Sequence, residues 1–147
     1  MNQAKLFTIG FTKKSAETFF NKLRTAGVKR LIDVRLNNVS QLAGFAKRDD
    51  LDYFLKVICD CEYRHEPLLA PTKEILDGYK KKEMEWEEYE TRFVKLLENR
   101  QAHHLVTPDE LRNSCLLCSE PKPDKCHRRL VAEFLRSRFD GIEIYHL

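Results

Sequence analysis

Five short apolar stretches, β-rich in character, alternate with stretches whose apolar residues recur at helical spacing, and this order leaves few folds open. Strands are expected at Lys5–Phe11, Arg30–Leu36, Glu62–Leu68, Ser114–Cys118 and Ile142–Leu147. Strands separated by helices pair in parallel and cover both faces of their sheet with those helices. Arg30-Leu-Ile-Asp-Val-Arg-Leu36 is apolar enough for a central place in such a sheet. The expected fold is therefore α/β: a three-layer sandwich with a mostly parallel, roughly five-stranded sheet, Rossmann-like in plan. A length of 147 residues suits one hydrophobic core, and no repeat, linker or low-complexity tract interrupts it, so residues 1–147 are read as a single domain.

The helices carry their own punctuation. Ser15 caps a helix with Ala16, Phe19, Phe20, Leu23 and Ala26 on one face, and Gly27 stops it. Asp49 or Asp50 is expected to cap a second helix bearing Leu51, Phe54, Leu55 and Ile58. Pro71-Thr72 opens a short piece with Ile75, Leu76 and Tyr79, and Lys80-Lys-Lys82 reads as a solvated turn. Trp86, Tyr89, Phe93, Leu96 and Leu97 mark a long helix, and Thr107-Pro-Asp-Glu110 is a capping box with proline at its first position. Asp124 or the neighbouring turn is expected to start a last helix with Leu130, Val131, Phe134 and Leu135 inward.

Composition narrows the setting. With 42% hydrophobic and 33% charged residues the chain is globular, and no apolar run reaches the length of a membrane span. The N-terminal residues lack the layout of a secretory signal, so a cytoplasmic location with no membrane partner is expected. Five cysteines, an odd number at irregular spacing, argue for reduced thiols rather than a disulfide framework. The net charge of +3 permits an anionic partner without demanding one, and a dedicated duplex-DNA binder would show a stronger basic excess.

The densest chemistry lies in Cys115-Leu-Leu-Cys-Ser-Glu-Pro-Lys-Pro-Asp-Lys-Cys-His-Arg-Arg129, read as strand, loop and helix. Ligands of open α/β sheets bind at such joins. Cys118 ends the strand, and Cys126 is placed in the first turn of the helix. There the helix dipole, His127, Arg128 and Arg129 would favour a thiolate nucleophile with His127 as acid or base. The same helix end, with Lys122 and Lys125, could hold a phosphate. The plain alternative is that the cysteines are small buried hydrophobes, which Cys115, Cys59 and Cys61 fit best. A zinc site from Cys118, Cys126 and His127, with or without His65, is the minority reading. The loop between the two cysteines is long for a zinc knuckle, and adjacent helical residues diverge by about 100°. No cofactor is therefore expected. A Cys118–Cys126 redox pair lacks the C-x-x-C spacing.

Asp33 and Arg35, two apart on a strand, point to one side. They form either an internal pair or two groups projecting into a cleft. Ser40, Gln41, Lys47 and Arg48 follow in a loop at the ligand-bearing edge, where Phe45 is either a core anchor or a lid. The cysteine loop resembles those of rhodaneses and protein tyrosine phosphatases in outline. Arg128 follows Cys118 at a longer interval than a phosphatase arginine, however, and Glu120 and two prolines sit between them, so neither activity is carried over.

Taken together, Thr8-Ile-Gly-Phe-Thr12, Ile32-Asp-Val-Arg-Leu36, Ser40-Gln-Leu-Ala-Gly-Phe-Ala-Lys47, Leu69-Ala-Pro-Thr72, Trp86-Glu-Glu-Tyr89 and Leu116-Leu-Cys-Ser-Glu120 with Cys126-His-Arg128 closely resemble the DUF488 family, in its short stand-alone branch. That resemblance implies an α/β sandwich and no assigned function. The family's polar positions fall on Thr8, Gly10, Asp33, Arg35, Ser40, Lys47, Cys118, Glu120, Cys126, His127 and Arg128. Other branches follow Asp-Val-Arg with a proline, where this chain has Leu36-Asn-Asn38. All these residues sit at the ends of strands 1, 2 and 4 or in the loops after them, so they converge on one cleft if those strands adjoin.

Three readings of that cleft stay open. The first is an enzyme for a small anionic or nucleotide-like substrate, with Cys118 or Cys126 as nucleophile, His127 as acid/base, Arg35 and Arg128 as an anion clamp, and Asp33 or Glu120 orienting them. Thr8, Gly10, Ser40, Gln41 and Lys47 complete its binding set. The second is a nucleic-acid-binding module without catalysis. The third is a structural network of the polar residues that pins the loops.

Overall fold

The computed structural model describes residues 3–37, 44–120 and 122–147. Its strands are β1 (Ala4–Gly10), β2 (Arg30–Asp33), β3 (Glu62–His65), β4 (Ser114–Cys118) and β5 (Ile142–His146). They form one sheet in the order β3-β2-β4-β1-β5, and every neighbouring pair is parallel. The helices are α1 (Ala16–Ala26), α2 (Arg48–Phe54), α3 (Lys73–Lys80), α4 (Trp86–Arg100), α5 (Pro108–Leu111) and α6 (His127–Arg138).

The chain first moves outward from β1 to β3 and then returns through β4 to β5. Right-handed crossovers run in opposite directions therefore place their helices on opposite faces. Phe19, Phe20 and Leu23 of α1 and Leu51 of α2 pack with Phe7, Ile9, Leu31, Cys115 and Leu117 on one face. Ile75 of α3, Phe93 and Leu97 of α4, and Leu130 and Val131 of α6 pack with Leu6, Ile32, Leu116 and Cys118 on the other. Strand alternation thus turns Cys115 toward α1 and Cys118 toward α6. Burying each of these large side chains contributes roughly 1.5–3 kcal/mol.

Local signals operate as the residue chemistry requires. Ser15 accepts from the Thr18 amide, and Gly27 takes the left-handed conformation (φ 74°) that closes α1. Thr72 caps α3, and Thr107 with Glu110 forms the reciprocal capping box of α5. Phe45 is a core anchor, packed on Phe19 and Phe20 at ring separations of 5.3 and 5.8 Å.

β1 lies one residue ahead of its expected span and β5 ends one residue short, and four further elements differ from the sequence expectation for identifiable reasons. β2 stops at Asp33 because the Arg35 amide turns back to the Asp33 carboxylate (3.1 Å). β3 stops at His65, just before Pro67, which has no N–H to offer the ladder. α2 starts from Lys47 rather than Asp49 or Asp50 and widens into a π turn at Leu55–Cys59, which turns Ile58 outward. α6 starts from Cys126, not Asp124, because residues 123–126 close a turn in which the Cys126 amide donates to the Pro123 carbonyl (3.2 Å). Among the described residues no helix is long and apolar enough to cross a membrane.

Candidate functional site

The strand order makes β1, β4 and β2 contiguous, and the register sets Gly10 opposite Cys118 and Leu117 opposite Asp33. Three carboxyl ends are therefore level, and the loops beyond them share one crevice. The loop after β4 lies directly on Gly10. A Cβ there would stand 1.6 Å from the Glu120 carbonyl oxygen, so no side chain fits without moving that loop.

Arg128 holds the same loop from beneath. It is fully buried, donates from Nη1 to the Glu120 carbonyl (2.5 Å) and from Nε to Thr8 Oγ1 (3.3 Å), and its Nη2 has no partner among the described residues. Thr8 Oγ1 also meets His146 Nδ1 at 2.6 Å. Thr8, Gly10 and Arg128 thus form the floor under the crevice rather than its lining. Among the described residues no carboxylate pairs with Arg128.

Arg35 has the opposite arrangement. Its Nε and Nη2 donate to the two oxygens of Asp33 at 2.9 and 2.8 Å, and Nη2 donates also to the Ala46 carbonyl (2.7 Å). Asp33 accepts a further bond from the Tyr63 hydroxyl at 2.6 Å. Burial opposes the Arg35 charge, but the Asp33 hydrogen bond and charge outweigh it and raise the guanidinium pKa. The guanidinium lies over the Phe11 ring at 5.2 Å. Its Nη1 is buried without a partner among the described residues, on a side chain that lines the crevice. Asp33 and Arg35 are therefore an internal pair, and Arg35 also reaches the cleft.

Opposite Arg35 stand Cys118, Cys126 and His127, whose ligand atoms lie within 4.8 Å of one another. His127 Nε2 is 2.6 Å from the Val34 carbonyl, which can only accept, so Nε2 carries the proton and Nδ1 keeps a free lone pair. Cys118 Sγ stands 3.4 Å from Nδ1 and 3.5 Å from Nε2, nearly equidistant and so in line with neither the Nδ1 lone pair nor the Nε2–H. Burial keeps the imidazole neutral by lowering its pKa. Burial also works against a Cys118 thiolate, but the Cys126 thiol, the Ser119 amide and Arg128 outweigh it and bring its pKa below the ordinary value. Donating to Cys118 holds the Cys126 proton in place, and that thiol rises well above its ordinary value.

These groups surround a cavity of about 330 Å³. Arg35, Cys118, Glu120, Cys126 and His127 line it, as sequence reasoning proposes for the cleft, together with Lys125. Tyr79 and Tyr89 also line it, with Tyr89 stacked on Trp86 at 5.1 Å. Their helical spacing reads as core stripe, and nothing in sequence separates a core tyrosine from one that edges a cavity. Lys80, assigned to a solvated turn, is another wall residue because α3 extends through it. Thr12 and the Val34 carbonyl carry no sequence signal of their role. Lys47 supplies the backbone cap of α2 and is not a lining residue. Arg48 is on the surface beside Asp49 (3.2 Å). Ser40 and Gln41 lie outside the described residues.

A parallel α/β sheet with a thiol, imidazole and guanidinium crevice at its carboxyl edge defines the class of protein. The chain belongs to the family described as a domain of unknown function, DUF488, whose model matches residues 15–135, from the cap of α1 to the third turn of α6. No curated protein and no solved structure matches the chain.

Proposed function

We propose that the cavity binds a small anionic molecule of nucleotide-like build. The observation that carries this reading is Arg35 Nη1, a buried guanidinium donor without a partner among the described residues, on a cavity-lining side chain. An unsatisfied buried donor costs about 1–3 kcal/mol, more when charged, and an anion in the cavity relieves that cost. The α6 N-terminus supports the same ligand. Its cap residue, Cys126, makes no side-chain capping bond, no acid stands in its first turn, and Cys126 and His127 both face the cavity. Lys80 and Lys125 add charge at the wall, while Tyr79 and Tyr89 offer ring surface for a flat group. Glu120 opposes a bare anion and favours a ligand that also presents hydroxyl or N–H donors. A cavity of about 330 Å³ suits one such molecule better than a strand of nucleic acid. Any chemistry on the ligand falls to Cys118, Cys126 and His127, which face the same space.

Thermal-shift titration with inorganic phosphate, sulfate and the nucleoside monophosphates tests the reading. A bound anion at one hundred times its Kd adds about 2.7 kcal/mol of stability. Lys125→Glu should abolish that gain while leaving the unliganded melting temperature in place. If none of these anions raises the melting temperature, the reading fails.

A further inference from the structure

We infer that Cys118, Cys126 and His127 form a binding site for one divalent metal ion of the zinc class, with the fourth coordination position open to the cavity. The ion itself is independent of the anion proposed above; the identity of the fourth ligand rests on that reading.

The donor set and its spacing fit together. Two thiols and an imidazole are the ligands zinc takes, and their ligating atoms lie within 4.8 Å of one another. Tetrahedral zinc, with Zn–S near 2.3 Å and Zn–N near 2.0–2.1 Å, sets its sulfur and nitrogen ligands about 3.5 Å apart. Cys118 Sγ and His127 Nδ1 are 3.4 Å apart. The helical divergence that argues against Cys126 and His127 sharing an ion does not apply. Cys126 precedes the helix with extended backbone (φ −133°, ψ 138°), and its side chain makes no capping bond.

The outer shell is also in place. A metal-bound histidine commonly donates its other N–H to a backbone carbonyl or carboxylate, which fixes the tautomer. Val34 accepts from Nε2 at 2.6 Å and leaves Nδ1 for the ion. Cys118 Sγ stands nearly as close to Nε2 as to Nδ1, so loading requires the ring to tilt until the Nδ1 lone pair faces the ion. The Val34 hydrogen bond serves as the pivot for that tilt.

The electrostatics distinguish this site from a closed structural one. One divalent ion and two thiolates sum to zero, so the loaded cluster adds no net charge to its buried surroundings. All three residues line the cavity, which leaves room for a fourth ligand. An anion in that position would bring one negative charge toward Arg35 and toward Arg128, a cation that no carboxylate pairs among the described residues.

The test is metal titration of the chelator-stripped full chain. Cobalt(II) should bind one per chain, with a thiolate-to-cobalt charge-transfer band and tetrahedral d–d bands, and zinc should displace it. Cys118→Ser and Cys126→Ser should each weaken zinc binding by more than the roughly 10–100-fold that losing an outer-shell partner costs. Cys115→Ala, on the other face of the sheet, should bind as the parent does. As a second readout that does not depend on variants folding, alkylation of Cys118 and Cys126 by iodoacetamide, mapped by mass spectrometry, should stop with zinc and resume with chelator.

Absence of the charge-transfer band, or alkylation unaffected by zinc, overturns the site. Loss of two hydrogens as a Cys118–Cys126 disulfide under mild oxidation, with no metal uptake, overturns it equally. Phosphate and a nucleoside monophosphate are then added to the cobalt protein. A changed d–d spectrum supports the open fourth position. An unchanged spectrum despite anion binding overturns that position, while failure of any anion to bind overturns the function proposed above and leaves the ion site intact.

Discussion

Gly10→Ala is the sharpest test of how the crevice is held. The new Cβ would stand 1.6 Å from the Glu120 carbonyl oxygen, 2.6 Å from the carbonyl carbon and 2.9 Å from Arg128 Nη1. Two of the three obstacles are backbone, so the loop has to retreat by roughly 2 Å to reach van der Waals separation. That movement draws the Glu120 carbonyl away from Arg128 Nη1, which has no other hydrogen bond among the described residues. Overpacking of this kind costs about 1–3 kcal/mol, and a lost hydrogen bond to a charged group about 1.5–3 kcal/mol. The combined cost of about 2.5–6 kcal/mol corresponds to a fall of roughly 5–24 °C in melting temperature for a chain of this size. Calorimetry measures it. Gly44→Ala is the control, since among the described residues nothing lies within 4 Å of its added methyl, and its effect should stay within about 1 kcal/mol. If Gly10→Ala melts within a degree or two of the parent, the loop is not seated on β1 as described.

Asp33→Ala strips Arg35 of its counter-ion inside the core and should cost about 3–5 kcal/mol in chemical denaturation, whereas Tyr63→Phe removes one 2.6 Å bond to that carboxylate and should cost about 1.5–3 kcal/mol. Burial, with the nearby Cys59, pushes the Cys61 thiol up to about 12. A thiol raised in the fold stabilises it below the unfolded pKa of about 8.5, and this contribution is lost as pH rises from there toward the folded value. Cys61→Ala should therefore flatten the alkaline limb of a stability–pH curve, and an unchanged limb would refute the assignment. The Thr107 amide and Arg64 lower the Glu110 pKa, so its contribution is present above the unfolded value of about 4.3 and lost as pH falls through the folded one. Glu110→Gln removes the titrating carboxyl and should take that acid sensitivity with it, as followed by thermal melts between pH 3 and 7, whereas Thr107→Ala keeps the amide and should cost only the cap, about 1 kcal/mol.

Much of the architecture is legible in residue order because it rests on local rules. Ser15, Gly27, Thr72 and the Thr107–Glu110 box act within a few residues of themselves, and the helices they bound appear where their chemistry places them. The boundaries that moved are those set by partners distant in sequence or by unusual local turns. The widened turn at Leu55–Cys59 follows no simple period, so Ile58, spaced for the core, ends at the surface. The start of α6 depends on a backbone turn before it and not on Asp124.

For the crevice, sequence alone singled out candidate side chains at strand ends or in the segments that follow them: Cys118, Cys126, His127, Arg35 and Glu120 all reach one cavity because strand–helix alternation forces parallel pairing. Only the tertiary structure decided which polar residues face that cavity and which support it. Thr8 and Arg128 went beneath the loop, and Asp33 went to Arg35 and Tyr63. It also brought the Val34 carbonyl to His127 across a separation of 93 residues and turned Cys126 toward Cys118. The physical reason is common to these cases. A residue's chemistry is its own, but its partner, its burial and the direction of its hydrogen bond are properties of neighbours that only strand order and register bring together.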